Sequence, residues 1–152
     1  MDKIDFMKLA IREAEKAAAE DEVPVGAVLV RDGKVLAKAH NRKEKKNCAV
    51  FHAEIEAIVK ACKKIGNWYL DNTELYVTLE PCPMCVGAII NSRIEKLYFG
   101  AWDPKAGCCG SKCNLVDMGF NHRFTVEGGL MEAECAALLG NFFKEKRKRK
   151  QP

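Results

Sequence analysis

Four residues of this chain have the types and spacing of a site that could carry out metal-assisted chemistry. Cys82 and Cys85 lie three positions apart in the segment Glu-Pro-Cys-Pro-Met-Cys, and His52 and Glu54 lie two positions apart upstream of it. Two thiolates and one imidazole are ligands of the kind that a catalytic zinc ion takes while its fourth position stays open for water. The residue types therefore predict Zn2+ as cofactor, with His52, Cys82 and Cys85 as ligands of an open site.

The element that carries the cysteine pair must aim both sulfur atoms at one ion. Pro81 favours an extended conformation at Glu80 and is itself common at helix starts, so a strand that ends near Leu79 should pass into a helix that begins near Cys82. Residues three apart share one face of a helix, and a helix N-terminus favours thiolates. The motif is therefore predicted at a strand-to-helix junction.

His52 and Glu54 can reach the same ion only where a loop enters a helix, because residues two apart inside a helix point to nearly opposite sides. The apolar pattern that follows them predicts such a helix over 53–65. A carboxylate there could take a proton from metal-activated water and pass it to a substrate, so Glu54 is the predicted catalytic residue. Each motif alone is unspecific, but together, with Pro81 before the first cysteine, they match the zinc deaminase signature.

The composition is typical of one globular domain followed by a charged end. The chain has 152 residues, of which 48% are hydrophobic and 30% charged, and this suits a single core. We expect a zinc-dependent deaminase domain over 1–143 and a basic C-terminal tail over 144–152 that extends the last helix. No signal-peptide or membrane-spanning pattern is visible, which predicts a cytoplasmic protein without a membrane partner. The eight cysteines are then expected to be thiols and metal ligands rather than disulfides.

Positive charge is concentrated in two segments. Residues 144–150 contain six basic side chains and one acidic, and residues 42–46 contain four basic and one acidic close to the predicted ligand His52. Such runs are often only solvated faces, but they also suit a polyanion such as a phosphate backbone.

The order of predicted elements indicates an α/β fold. A helix over about 3–20 precedes a hairpin with an Asp-Gly turn, whose strands cover 23–30 and 35–40. The helix over 53–65, a strand over 73–79, the helix of the cysteine motif and a strand over 94–100 follow, with the last two strands parallel because a helix connects them. A short helix near 113–118, a strand over 123–127 and a final amphipathic helix complete a mixed five-stranded sheet with helices on both faces.

Beyond the metal motifs, the chain resembles the bacterial tRNA adenosine deaminases, which convert the wobble adenosine of an arginine tRNA anticodon to inosine. The resemblance covers most of the chain after the first helix. It is carried by the segments 22–30, 40–42, 52–55, 76–87, 92–94, 99–101, 103–105, 110–111, 121–123, 134–139 and 142–143. Residues 47–51 depart from the family's Asp-Pro-Thr-Ala pattern, and Phe51 replaces a small residue beside the predicted ligand.

The resemblance implies a three-layer α/β/α cytidine-deaminase-like fold, bound zinc, an RNA substrate and a homodimer. The substrate is the anticodon loop of a tRNA, that of an arginine tRNA by analogy with the family. In the same way, Asn41 is expected to contact the base, Val25 to form the pocket wall, Asp103 to line the anticodon groove and Phe143 to lie on the RNA side.

Three other functions use parts of the same pattern. A free nucleobase deaminase acting on guanine or cytosine needs the same metal site but no basic tail, so its activity should be insensitive to salt, whereas RNA binding weakens as salt rises. A cytidine deaminase acting on a polynucleotide differs in base preference. A zinc-stabilised nucleic-acid-binding module would need a fourth protein ligand, and the cluster of Cys108, Cys109 and Cys113 leaves a second metal site open.

Overall fold

The computed structural model of the protein describes residues 1–150, which form one mixed sheet with helices on both faces. The strands are β1 (Gly26–Arg31), β2 (Lys34–His40), β3 (Thr73–Leu79), β4 (Lys96–Ala101) and β5 (Thr125–Gly128), and the helices are α1 (Lys3–Ala19), α2 (Ala53–Ile65), α3 (Pro83–Ser92) and α4 (Glu132–Lys150). The strand order is β2-β1-β3-β4-β5. The predicted five-stranded mixed sheet is confirmed.

Strand directions follow from the connections. The tight turn after β1 makes β1 and β2 antiparallel, and β1 is also antiparallel to β3. Helix α3 connects β3 to β4 in parallel, as predicted, and β5 continues the parallel part. As a result β2 and β3 run in the same direction, and their carboxyl ends reach the same edge of the sheet. In open α/β sheets this edge is where sites form.

Each face of the sheet packs against one pair of helices. On one face α1 and α4 bury a cluster that includes Phe6, Met7, Tyr76 and Cys135. On the other face the alanines of α2 and the Val86 side of α3 pack over the larger core cluster. Small residues on α2 allow close approach to the sheet, so the N-termini of α2 and α3 lie side by side at the edge where β2 and β3 end.

The segment between β4 and β5 differs from its prediction. The expected short helix near 113–118 is wrong, because this segment consists of turns and one isolated antiparallel bridge between Cys109 and Asn114. Backbone hydrogen bonds from Cys108 to Pro81 and from Leu115 to Cys108 tie the segment to the metal-binding junction. The Leu115 N–H group is therefore satisfied by Cys108, outside the segment, rather than by a helical hydrogen bond.

Three strands begin two or three residues later than predicted. Strand β1 begins at Gly26 rather than at 23, since Pro24 has no N–H to donate to a ladder. The other two shifts are β4, which begins at Lys96, and β5, which begins at Thr125. Helix α4 continues to Lys150, and residues 151 and 152 of the predicted tail lie outside the described residues. Among the helices of residues 1–150, none has the length and apolar character required to cross a bilayer.

Candidate active site

Two helix starts bring the predicted metal ligands together. His52 is the N-cap of α2 and Cys82 the N-cap of α3, both with extended backbone, and Cys85 lies in the first turn of α3. The His52 Nδ1 atom is 3.7 Å from the Cys82 Sγ and 3.6 Å from the Cys85 Sγ. Tetrahedral zinc, with its usual Zn–S and Zn–N bond lengths, separates such sulfur and nitrogen atoms by about 3.6 Å. The three side chains of His52, Cys82 and Cys85 are called the metal group below. Their arrangement fits a zinc-sized tetrahedral ion.

Within residues 1–150, this group consists of three side chains that could bind a metal ion, and no fourth side chain joins them. Its ligand atoms all lie within 4.8 Å of one another. In that part of the chain no other group of three or more His, Cys, Asp or Glu side chains converges in this way, so Cys108, Cys109 and Cys113 do not form the alternative second site. A group of three ligands with one side facing a cleft is the arrangement of a catalytic centre, whereas structural zinc sites are closed by a fourth ligand.

The two cysteines differ in their protonation, and Cys82 is the one that is already suited, as a thiolate, to bind a cation. A hydrogen bond from the Cys85 thiol lowers the pKa of Cys82 to about 4, whereas the same hydrogen bond, together with burial, raises the pKa of Cys85. The Cys82 sulfur, in turn, raises the pKa of His52. Since metal ligands must be deprotonated, a cation bound here displaces the proton of Cys85.

Glu54 lies beside this group and away from bulk water. Its side chain is in the first turn of α2 and only 4% exposed. Burial raises the pKa of Glu54 to about 7, and the nearby His52 opposes part of this effect. A carboxyl group whose pKa lies near neutrality can both accept and donate a proton at physiological pH. The position of Glu54 is therefore that of a proton shuttle next to the metal group.

A cleft with a volume of about 210 Å³ opens onto the metal group. Of the predicted substrate contacts, Val25, Asn41 and Asp103 line this cleft together with His52, Glu54 and Cys82. Phe143 does not line it; this residue lies on α4 with 41% of its surface exposed and packs edge-on against Phe142. The cleft has the mixed polar and apolar lining of a small-molecule pocket, and it could receive one nucleobase.

Asn41 is held firmly at the wall of the cleft. Its side-chain amide donates to the backbone oxygen of Val23 at 3.2 Å and accepts from the backbone N–H of Lys43 at 3.2 Å. Each amide end keeps further hydrogen-bonding capacity, since the nitrogen has a second hydrogen and the oxygen a second lone pair. Asn41 can therefore both shape the chain around the cleft and present polar atoms to a ligand.

No sequence pattern indicates the role of Glu80 in building this cleft. Its buried carboxylate accepts the backbone N–H groups of Asp103, Cys109 and Ser111 at 2.9–3.0 Å and also the Ser111 hydroxyl. Gly107 packs so closely that a Cβ there would overlap this carboxylate. Glu80 thus fixes the loop of residues 102–111, which carries Asp103. No local pattern could have indicated this, because the partners lie more than twenty residues away in sequence.

We expect Glu80→Gln to destabilise the protein and to impair its activity. The carboxamide nitrogen would face backbone N–H groups that now donate to an oxygen, and leaving such buried donors without acceptors costs about 1–3 kcal/mol. The loop that bears Asp103 would shift away from the cleft. Urea unfolding would measure the loss of stability. Turnover at limiting substrate concentration would measure the effect of the displaced loop on activity. Glu95→Gln, an exposed carboxylate outside the cleft, is the control and should change neither.

Similarity to known proteins agrees with this geometry. The family model of the MafB19-like deaminases matches residues 1–147. A tRNA-specific adenosine deaminase of Bacillus subtilis is 51% identical over 147 residues, which are 96% of this chain and 91% of that protein. The corresponding Aquifex aeolicus protein is 46% identical over 148 residues and is covered over 97% of both chains.

Solved structures give the same result. A structure from a study of tRNA:A34 deaminases, which edit adenosine to inosine at the wobble position, has a TM-score of 0.85 and 46% identity, covering 89% of this chain and 99% of that one. A guanine deaminase of Nitrosomonas europaea has a TM-score of 0.82 at 25% identity, covering 93% of this chain and 84% of that one. Both confirm the three-layer deaminase fold, and identity is clearly higher to the tRNA enzyme. The chain belongs to the tRNA-specific adenosine deaminase family.

Proposed function

We propose that this protein hydrolytically deaminates adenosine to inosine at the wobble position of a tRNA anticodon, with zinc as its cofactor. One observation carries the proposal: a group of two cysteines and one histidine lies with a buried glutamate at the floor of a cleft large enough for one base. The similarity to tRNA-specific adenosine deaminases extends over nearly the whole chain. The chemistry and the class of substrate are therefore inferred from independent observations.

In this proposal the chain supplies the ligands, the proton transfers and the shape of the pocket. His52, Cys82 and Cys85 hold the metal. When bound, zinc supplies Lewis-acid chemistry that makes water nucleophilic near neutral pH. Glu54 accepts a proton from the attacking water and donates it to N1 of the purine as the new C6–O bond forms. It then takes the proton of the resulting C6 hydroxyl and gives it to the amino group, which leaves as ammonia as the C6–N bond breaks and the C6 carbonyl forms.

The substrate contacts follow from the walls of the cleft. Asn41 is proposed to hydrogen-bond the base, Val25 to pack against it and Asp103 to lie along the groove for the anticodon. Phe143 lies on α4 outside the cleft. We propose that neighbouring nucleotides pass along it and along the basic end of this helix. A base in an anticodon loop is unpaired, so its extrusion into the pocket costs less than that of a base in a duplex.

The narrower parts of the proposal rest on the family resemblance. The substrate is proposed to be an arginine tRNA, the active form a homodimer, and the compartment the cytoplasm, where tRNA is modified. Each can be tested separately from the chemistry, by comparing tRNAs, by light scattering of the purified protein and by fractionation of cells.

The function is tested with an anticodon stem-loop that carries adenosine at the wobble position. We expect the purified protein to convert this adenosine to inosine, detected among the nucleosides after digestion of the RNA. The same loop sequence annealed to a complementary strand is the control and should react far more slowly, because its adenosine is paired and stacked.

Parallel incubations with free guanine, cytosine and adenosine separate the competing functions. Ammonia release from a free base while the stem-loop stays unchanged would overturn the proposal and indicate a nucleobase deaminase. Uridine formation from cytidine in the stem-loop would indicate a polynucleotide cytidine deaminase.

A further inference from the structure

The basic loop beside the cleft is anchored by a buried carboxylate that the chemistry described above does not use. Glu22 is 1% exposed, and its two carboxylate oxygens accept the backbone N–H groups of Glu44 at 3.0 Å and Lys45 at 2.7 Å. Two separate oxygens on two successive N–H groups form a rigid clamp, which is strengthened by the negative charge of the acceptor. Glu22 therefore fixes the backbone of this loop from the inside.

Two further anchors hold the beginning of the same loop. Arg42 donates three hydrogen bonds of 2.9–3.1 Å to the carboxylate of Glu56 on α2. Asn41 accepts the backbone N–H of Lys43. With the beginning and the middle of the loop tied down, its exposed side chains project from fixed backbone positions.

Within residues 42–46, one basic side chain faces the cleft without an anionic partner. Arg42 is bound to Glu56, and Lys45 lies 3.7 Å from Glu20. Lys46 does not line the cleft, whereas Lys43 does. Among the ion pairs of residues 1–150, none includes Lys43. Lys43 thus keeps an uncompensated ammonium group at the mouth of the cleft.

The carboxylates at this mouth differ in how much of their charge is available. Asp21 is paired with Arg149 at 2.7 Å, and Asp103 accepts the backbone N–H groups of Lys105 and Ala106. The charge of Glu22 is directed at the loop backbone. Glu44 is exposed and adjacent to Lys43 in sequence, which makes it a useful internal control.

We propose that Lys43 contacts a phosphate of the RNA backbone beside the nucleotide whose base enters the cleft, and that Glu22 is the positioning residue that holds Lys43 there. This inference rests on the proposed function and identifies how the backbone of the substrate is held. An ammonium group at the mouth of a base pocket lies where the phosphodiester next to an extruded base must pass. Because Glu22 binds the two residues that follow Lys43, loss of its carboxylate would free the loop on that side of Lys43 and loosen the position of its side chain, without removing any charge that contacts RNA.

The test measures inosine formation from the anticodon stem-loop over a range of salt concentrations. We expect Lys43→Ala to raise KM about fivefold at low salt with little change in kcat, and to reduce the slope of log affinity against log salt by about 0.7, the value for one phosphate on a single strand. Lys43→Arg should keep the slope. Lys63→Ala, which removes a charge from the far end of α2, should leave KM and slope unchanged.

Glu22→Gln tests the positioning role. A carboxamide cannot accept both N–H groups, so we expect it to reproduce the rise in KM and the smaller salt slope of Lys43→Ala. The double variant should add nothing further, because both changes remove the same contact. Glu44→Gln, which removes a nearby negative charge, should lower KM.

Several results would overturn the inference and leave the proposed function intact. They are an unchanged salt slope in Lys43→Ala, additive effects in the double variant, a rise in KM for Glu44→Gln, or a Glu22→Gln protein that loses kcat and thermal stability with its slope unchanged. Failure of the proposed function looks different, since the wild-type protein would then form no inosine from the stem-loop at all.

Discussion

Glu54→Gln should form inosine about 10²–10⁴-fold more slowly than the wild-type protein while binding the same amount of zinc. The carboxamide has nearly the same shape as the carboxylate, so the site should keep its packing. It cannot accept a proton from water or deliver one to the purine, and so the proton transfers assigned to Glu54 would have no carrier. Single-turnover rates on the stem-loop and metal analysis of the same sample would measure both quantities.

Glu56→Gln is the matched control for this experiment. Glu56 lies two residues further along α2 and is equally buried, 5% exposed against 4% for Glu54, but its carboxylate binds Arg42 rather than facing the cleft. We expect this variant to lose stability and keep its rate of chemistry. A Glu54→Gln protein that is fully active, or one that no longer binds zinc, would show that the division between ligands and proton shuttle is wrong.

Cys85→Ser should lose both zinc and activity. Cys85 is fully buried and its sulfur is one of the three converging ligand atoms. A serine hydroxyl stays protonated near neutral pH and is a harder ligand, so two protein ligands would remain where the site needs three. We expect the dialysed variant to contain almost no zinc and to form no detectable inosine. Because zinc binds only the folded state, its loss should also lower the melting temperature by about 10 °C.

The control for this variant is Cys135→Ala, which removes a cysteine that is also buried but lies on the opposite face of the sheet. It should keep one zinc ion per chain and its activity. Chelation followed by addition of zinc should restore the wild-type protein and leave Cys85→Ser inactive. Stoichiometric zinc in Cys85→Ser would contradict the assignment and would indicate that a neighbouring thiol such as Cys108 replaces the lost ligand.

Much of the fold and of the metal group could be predicted because their signals are local. The spacing of Cys82 and Cys85 after Pro81 indicates a helix start. Likewise, the apolar pattern after His52 indicates where α2 begins, and the structure has that helix over Ala53–Ile65. Hydrophobic periodicity and the Asp-Gly turn likewise depend on neighbours in sequence, and they predicted the five strands and the parallel crossover.

The prediction of a short helix near 113–118 is wrong for the opposite reason, because the structure of this segment depends on residues outside it. Its own residue pattern predicts a helix, but its Leu115 N–H donates to Cys108, which belongs to a preceding segment that is held by Pro81 and Glu80 from another part of the chain. Contacts to this anchored preceding segment outweigh a weak local preference. Substrate contacts were also harder to predict than ligands, since the cleft is built from Asn41, Asp103 and other residues that are distant in sequence.

By itself the sequence indicated the proposed chemistry: which residues could bind a metal ion, which one could transfer protons, and that they stand at two helix starts. Only the tertiary structure decided how the cleft is held open and charged. Glu80 and Glu22 are unremarkable glutamates in the sequence, and both are buried because each meets backbone N–H groups brought to it by a distant loop. A carboxylate is buried only where such donors compensate for its lost hydration, and whether they are present depends on the whole fold rather than on neighbouring residues.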